Sequence, residues 1–187
     1  MTIEELTPDD PPRRLLTFRL LAATATTAIL VAVYFVVPLG FLAAIPVWAT
    51  LVIAMLILLI VAIWQIHAVL RSNWPGLRGI EALAVTAPLY LLLFATIYVR
   101  VAAETPGSFT TDALTRLDML YFTVTVFATV GFGDISPATQ AARALVTVQM
   151  VLNLLVLGAG IRVLTLAVKR GRQLQDSNET QTLITPD

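Results

Sequence analysis

Thr129-Val-Gly-Phe-Gly-Asp134 is the stretch of this chain whose residue types and spacing best lend themselves to chemistry. Two glycines at alternate positions, Gly131 and Gly133, let backbone torsions alternate between left- and right-handed values at little steric cost. The carbonyls can then turn to one side, a geometry that an ordinary run of L-residues resists. A row of carbonyls with one threonine hydroxyl is a set of hard oxygen ligands suited to an alkali cation. Such a set replaces a hydration shell without a fixed charge that would trap the ion. Competing chemistry finds no candidate here. There is no cysteine, hence no thiol, Cys-ligated metal or disulfide framework. With the single histidine His67 and scattered carboxylates, no catalytic constellation forms, and neither enzymatic activity nor a cofactor is expected.

The elements around this stretch must hold it in an unusual solvent. Of the 187 residues, 58% are hydrophobic and 13% charged, against roughly 25% charged in soluble chains. Four apolar runs, Thr17–Val37, Ile45–Ile66, Ile80–Val99 and Pro137–Val168, reach the ~20 residues a helix needs to cross a hydrocarbon core. The sequence therefore predicts an all-α membrane protein with four transmembrane helices. The first run follows charged residues but lacks a small-residue cleavage site, so it reads as a retained helix. Net charge is zero and the basic residues are scattered, which argues against nucleic acid as a partner.

Cytoplasmic flanks of membrane helices are enriched in Lys and Arg. Eight basic residues (Arg13, Arg14, Arg19, Arg71, Arg78, Lys169, Arg170, Arg172) fall on one side and three (Arg100, Arg116, Arg143) on the other. Both termini are thus expected in the cytoplasm, and the sequon at Asn178 is read as accidental. The segment after the third run then opens outside. It begins polar, AAETPGSFTTDALTRLD, and turns apolar for only eleven residues, MLYFTVTVFAT. Eleven residues cannot cross, so the segment must dip in and return. Irregular backbone survives at that depth only when enclosed by protein or lining water. Thr115-Arg-Leu-Asp118 resembles a capping box with Asp in place of Glu. It predicts a short helix over about Arg116–Ala128, whose partially negative C-terminus would favour a cation.

Together these residues resemble the potassium-channel superfamily, whose selectivity filter TVGFGD at 129–134 is similar to. The likeness covers about residues 80–170: outer helix, pore helix, filter and inner helix. It implies that the carbonyls of Thr129, Val130, Gly131 and Phe132, with the Thr129 hydroxyl, bind K⁺, while Gly133 lets the outer mouth flare. It also implies that Asp134 braces the filter from behind, hydrogen-bonded to Tyr121. Departures from the family pattern are coherent. Phe132 replaces a commoner Tyr, and Phe122 and Val126 stand where polar partners of its hydroxyl are often found, suggesting an apolar cuff. Ala128 replaces a frequent Thr, and Thr125 takes a place sometimes held by Glu.

Ser136-Pro137 reads as N-cap and first residue of a long inner helix. Asn153 falls where many family members place a hinge glycine. It would either face a water-filled cavity or make an interhelical hydrogen bond. Gly158 and Gly160, within Leu157-Gly-Ala-Gly-Ile161-Arg162, are an alternative bend or a close helix contact. Arg162 would snorkel to the interface or line the inner gate. Neither of the first two runs carries regularly spaced arginines, so classical voltage sensing is not expected. His67 reads as an interfacial residue or a pH sensor, and Trp48, Trp64, Trp74 and Tyr98 suit interfacial belts.

The expected organisation is a tail over 1–16, a peripheral hairpin over 17–70, a pore domain over 78–170 and a tail over 171–187. That last tail is too short for a folded ligand-binding domain, which leaves open a separate cytoplasmic regulator. One filter strand cannot encircle an ion, so the expectation is a homotetramer in a cell membrane, with a composition that leans bacterial. The expected function is passive K⁺ conduction. Alternatives are a weakly selective cation channel and a non-conducting accessory or transporter subunit, although the internal repeats and broken helices of transporters are not seen.

Overall fold

The computed structural model describes residues 13–38, 40, 45–71, 75–112 and 114–158, and among them the chain is helical with one isolated antiparallel bridge. The helices are α1 (Arg13–Val36), α2 (Val47–Leu70), α3 (Pro75–Glu104), α4 (Arg116–Phe127) and α5 (Gln140–Gly158). Three stretches are long and apolar enough to cross a membrane: Val47–Val69, Glu81–Glu104 and Gln140–Gly158. In α1 the apolar part, Leu21–Val36, is shorter. Among the described residues the chain is an all-helical membrane protein.

α3 is the hub, with α1, α2 and α4 all packed against it. Its residues Tyr90, Phe94 and Tyr98 recur every four positions and so lie on one face. That face meets Phe122 of α4 and Phe109 of the loop after α3, with ring centroids 5.3 and 5.9 Å from Tyr98. Ala142, Leu145 and Val146 of α5 close the same core. Tyr98 is therefore fully buried and not part of an interfacial belt, whereas Trp48 and Trp64 stay exposed. Trp74 lies outside the described residues.

Pro88 sits inside α3 and has no N–H for the Ala84 carbonyl four residues back. Thr27 of α1 supplies the missing donor, its hydroxyl lying 3.3 Å from that carbonyl. An unpaired carbonyl in hydrocarbon is costly, so this bond ties α1 to α3 at the proline.

The inner helix does not begin at Ser136-Pro137. Thr110 N donates to the Ser136 carbonyl at 2.9 Å, Ser136 N to the Thr110 hydroxyl at 3.0 Å, and Ala138 N to the Ser108 carbonyl at 2.8 Å. These bonds hold residues 136–138 extended, with Phe109 bridged to Pro137. The cap falls instead on Thr139, whose hydroxyl accepts from Ala142 N at 3.3 Å and whose carbonyl accepts from Arg143 N at 2.9 Å. A local Ser-Pro start signal thus loses to pairing with a segment some 26 residues earlier.

Candidate functional site

The site is built outward from α4. Its N-terminus carries a full capping box: Asp118 N donates to the Thr115 hydroxyl at 3.2 Å, and Thr115 N donates to the Asp118 carboxylate at 2.7 Å. The Thr115 hydroxyl also donates to that carboxylate at 2.6 Å. The side-chain bond first, and the backbone bond second, hold the Asp118 carboxyl below the usual carboxylate range.

At the other end the chain leaves the helix and changes character. Ala128 N closes the last turn on the Val124 carbonyl at 2.8 Å, and Thr129 N reaches Val126 O at 3.2 Å. Val130 N and Gly131 N both return to the Thr125 carbonyl, at 2.9 and 3.3 Å. Thr129, Gly131 and Gly133 have φ of +58°, +56° and +82°, while Val130 and Phe132 stay negative. The torsions therefore alternate in sign over five residues. A Cβ at Gly131 or Gly133 would meet nothing within 4 Å, so the demand for glycine there is torsional and not spatial. Thr129 was not foreseen among the left-handed residues; a β-branched side chain there is strained.

The donors and acceptors of this loop are treated differently. Amides of Thr129, Val130 and Gly131 are all engaged, whereas among the described residues the carbonyls of Thr129, Val130, Gly131 and Phe132 accept no hydrogen bond. Beyond them the Gly133 carbonyl accepts from the Ser136 hydroxyl at 3.2 Å, and the Asp134 carbonyl from the Thr111 hydroxyl at 3.2 Å. The loop is thus pinned at its outer end and along its amide edge, with four acceptors left over. In a single chain the whole stretch is exposed, Phe132 at 68%.

The supporting residues distribute unevenly. Tyr121 stacks on Phe132 with centroids 6.2 Å apart and planes within 4°. Desolvation first, and then a hydrogen bond to the Asp134 carboxylate and its charge, raise the Tyr121 hydroxyl above the usual tyrosine range. Phe122 does not cuff Phe132 in the same chain: its ring partners are Tyr98 and Phe109, and it is buried with Val126 in the core. The reason is helical phase, since positions 122 and 126 face α3 while 121 faces the loop.

Asn153 does not face an open cavity. Its side chain is 2% exposed, its amide donating to the Val126 carbonyl at 3.2 Å and its oxygen accepting from the Tyr90 hydroxyl at 2.6 Å. One turn earlier, Gln149 repeats the pattern: its amide donates to the Thr123 carbonyl at 3.3 Å, and its oxygen accepts from the Tyr98 hydroxyl. Two tyrosines of α3, two amides of α5 and two carbonyls of α4 thus make a paired clasp across the core. Gln149, Tyr90 and Tyr98 were not foreseen as part of the site. The signal was present as two amides four residues apart in an apolar helix, facing two tyrosines eight apart. Leu157 and Gly158, at the described end of α5, are exposed. Gly160, Ile161 and Arg162 lie outside the described residues.

Residues 86–170 match a family model described as an ion channel. Over 65 residues the chain is 40% identical to two pore potassium channel c of Oryza sativa subsp. japonica. That match takes in 33% of this chain and 14% of the relative, so the chain spans a small part of that protein's length. No solved structure gives a significant match. The matched segment contains most of α3, all of α4, the loop with alternating torsions and all of α5. The chain is thus similar to ion channels over residues 86–170 and to one potassium channel over 65 residues.

Proposed function

We propose, on the premise that residues 86–170 are an ion-channel segment, that four copies of this chain assemble around an axis and pass K⁺ passively along the Thr129–Gly133 backbone. The observation that carries this reading is the division of labour in the loop: alternating φ, engaged amides, and four carbonyls without a partner. In that assembly α3 is the outer helix, α4 the pore helix and α5 the inner helix. Four loops facing one another would place successive rings of carbonyl oxygens at the distance of a lost hydration shell. The carbonyls of Thr129, Val130, Gly131 and Phe132 and the Thr129 hydroxyl would coordinate the ion, with Gly133 opening the mouth and Asp134 at its rim. Exposure supports assembly: Val124, Val151, Leu154 and Leu155 offer large apolar surface on the elements that flank the loop.

The same reading makes 78–170 the pore domain and 17–70 a peripheral hairpin, with both termini in the cytoplasm of a plasma membrane. Asn153 braces α4 in this scheme, so any bend of α5 belongs at Gly158 or beyond. The test is K⁺ flux through liposomes containing this protein alone, with Ba²⁺ block as control and bi-ionic reversal potentials for K⁺ against Na⁺. Ba²⁺-sensitive flux that prefers K⁺ is expected. Equal permeability would make it a weakly selective cation channel, and absence of flux would make it an accessory subunit.

A further inference from the structure

A basic residue is out of place at the first position of a helix, where the macrodipole is positive. Arg116 stands there on α4. α1 has the complementary fault: its last turn carries no basic residue, and its final carbonyls have no partner within the helix. The two faults resolve each other. Arg116 Nη1 donates to the Tyr34 carbonyl at 2.5 Å and the Phe35 carbonyl at 2.9 Å, and Nη2 donates to the Val37 carbonyl at 2.7 Å. Tyr34, buried at 8% exposure, returns its hydroxyl to the Arg116 carbonyl at 2.7 Å. A guanidinium fork can serve several carbonyls at once, which an ammonium point charge does less well. The far side of the α1–α2 link is held in the same manner. Arg100 of α3 is 3% exposed, donates through Nη2 to the Ile45 carbonyl at 2.6 Å, and pairs with Glu104.

We infer that Arg116 and Tyr34 are positioning residues for the ion path: through them the outer end of α1 sets the seating of α4, and with it the Thr129–Gly133 loop. This rests on the reading of that loop as the ion path. α4 has 12 residues and is about 18 Å long at 1.5 Å per residue. Gln149 and Asn153 hold it near its C-terminal end, and Arg116 holds the N-terminal end. Val130 and Gly131 hang from the Thr125 carbonyl, so the loop follows whatever α4 does. Releasing the Arg116 grip leaves the N-terminal part of α4 held by the apolar packing of Met119 and Leu120, with more room to rock about the remaining clasp. A ring of unpaired carbonyls repels itself unless a cation is present, and bound ion stabilises the ordered loop by mass action. A looser α4 should then need more K⁺ to keep the loop conducting.

The experiment uses the full chain in liposomes, equilibrated in graded K⁺ with Na⁺ as replacement, and reads the K⁺ concentration at which half the flux is retained. Losing charge-assisted bonds, Arg116→Gln should raise that concentration about tenfold. Arg116→Lys, which keeps the charge but not the fork, should fall between it and the parent. Tyr34→Phe should raise it about threefold, and the double variant should be no worse than Arg116→Gln, since both break one clasp. Thr27→Val is the control for mere loosening of the hairpin, because it removes an α1–α3 bond without touching α4. It should leave the K⁺ dependence unchanged. Parent-like behaviour of both Arg116→Gln and Tyr34→Phe, or an equal shift in Thr27→Val, would overturn the inference. Should Arg116→Gln fail to fold, Tyr34→Phe alone decides. Absence of flux from the unaltered protein would instead sink the ion-path reading, and this inference with it.

Discussion

Replacing Gln149 by leucine keeps roughly the side-chain volume and removes the amide at the centre of the upper clasp. The Tyr98 hydroxyl, fully buried, then loses the acceptor that Gln149 provides and has no other among the described residues. A buried donor left without a partner costs about 1–3 kcal/mol. Loss of the 3.3 Å bond to the Thr123 carbonyl adds less, since polar bonds between membrane helices average about 0.6 kcal/mol. The total is about 1.6–3.6 kcal/mol, which for a chain of this size lowers the thermal midpoint by roughly 3–14 °C. Asn153→Leu should cost about 1 kcal/mol, because both orphaned groups have a second partner. Tyr90 keeps the Gln149 main-chain carbonyl at 3.1 Å, and the Val126 carbonyl keeps Thr129 N at 3.2 Å. The decisive variant is Gln149→Leu with Tyr98→Phe, in which both partners become apolar and most of the loss should return. Thermal unfolding followed by circular dichroism, at fixed protein and detergent concentration, measures the parent, Asn153→Leu, Gln149→Leu, Tyr98→Phe and the double variant. If the double variant is as unstable as the sum of the single ones, Tyr98 and Gln149 do not act as a pair and the clasp has been misjudged.

Gly131→Ala should abolish flux and cost about 1–2 kcal/mol per chain, because φ of +56° is strained for any residue with a Cβ; flux and the thermal midpoint check it. Thr129→Gly should move the two readouts in opposite directions. It relieves a similar strain at φ +58°, so stability holds or rises, while loss of the hydroxyl lowers K⁺ preference in bi-ionic measurements. Asp118→Asn probes the capping box through pH. The Asp118 carboxyl is held below its ordinary value by Thr115, so its contribution is fully present above the unfolded value near ~3.9. It is lost as pH falls through the lower folded value. The acid-limb loss of stability below about pH 4 should be smaller in Asp118→Asn than in the parent.

What was legible in the sequence follows from which forces are local. The capping box at Thr115 and Asp118 and the torsional demand at Gly131 and Gly133 involve residues within a few positions of one another, and both appear where the sequence places them. The start of α5 was misread because Ser136-Pro137 is a local signal and the pairing that defeats it comes from Ser108–Thr110. The role of Asn153 was left open between cavity and helix contact, since choosing requires knowing that Tyr90 and Val126 stand opposite. Thr129 shows a different limit. Nothing in a threonine announces a left-handed torsion, which here is imposed by the amides of Val130 and Gly131 turning back to Thr125.

The polar groups in the apolar helices share one logic. Gln149, Asn153, Tyr90 and Tyr98 serve α4; Thr27 serves the carbonyl that Pro88 strands; Arg116 serves the end of α1. Each provides for a main-chain carbonyl, or for a donor to one, across a helix contact. Hydrocarbon makes that provision compulsory, so these bonds would be unremarkable if the rule held everywhere. Among the described residues it lapses at Thr129, Val130, Gly131 and Phe132, whose acceptors go unserved although the amides of Thr129, Val130 and Gly131 are engaged. A fold that supplies donors to main-chain carbonyls on three helices supplies none to these four among the described residues, and under the proposed reading their partner is a dehydrated monovalent cation. An aqueous lining alone would not require the torsions to alternate.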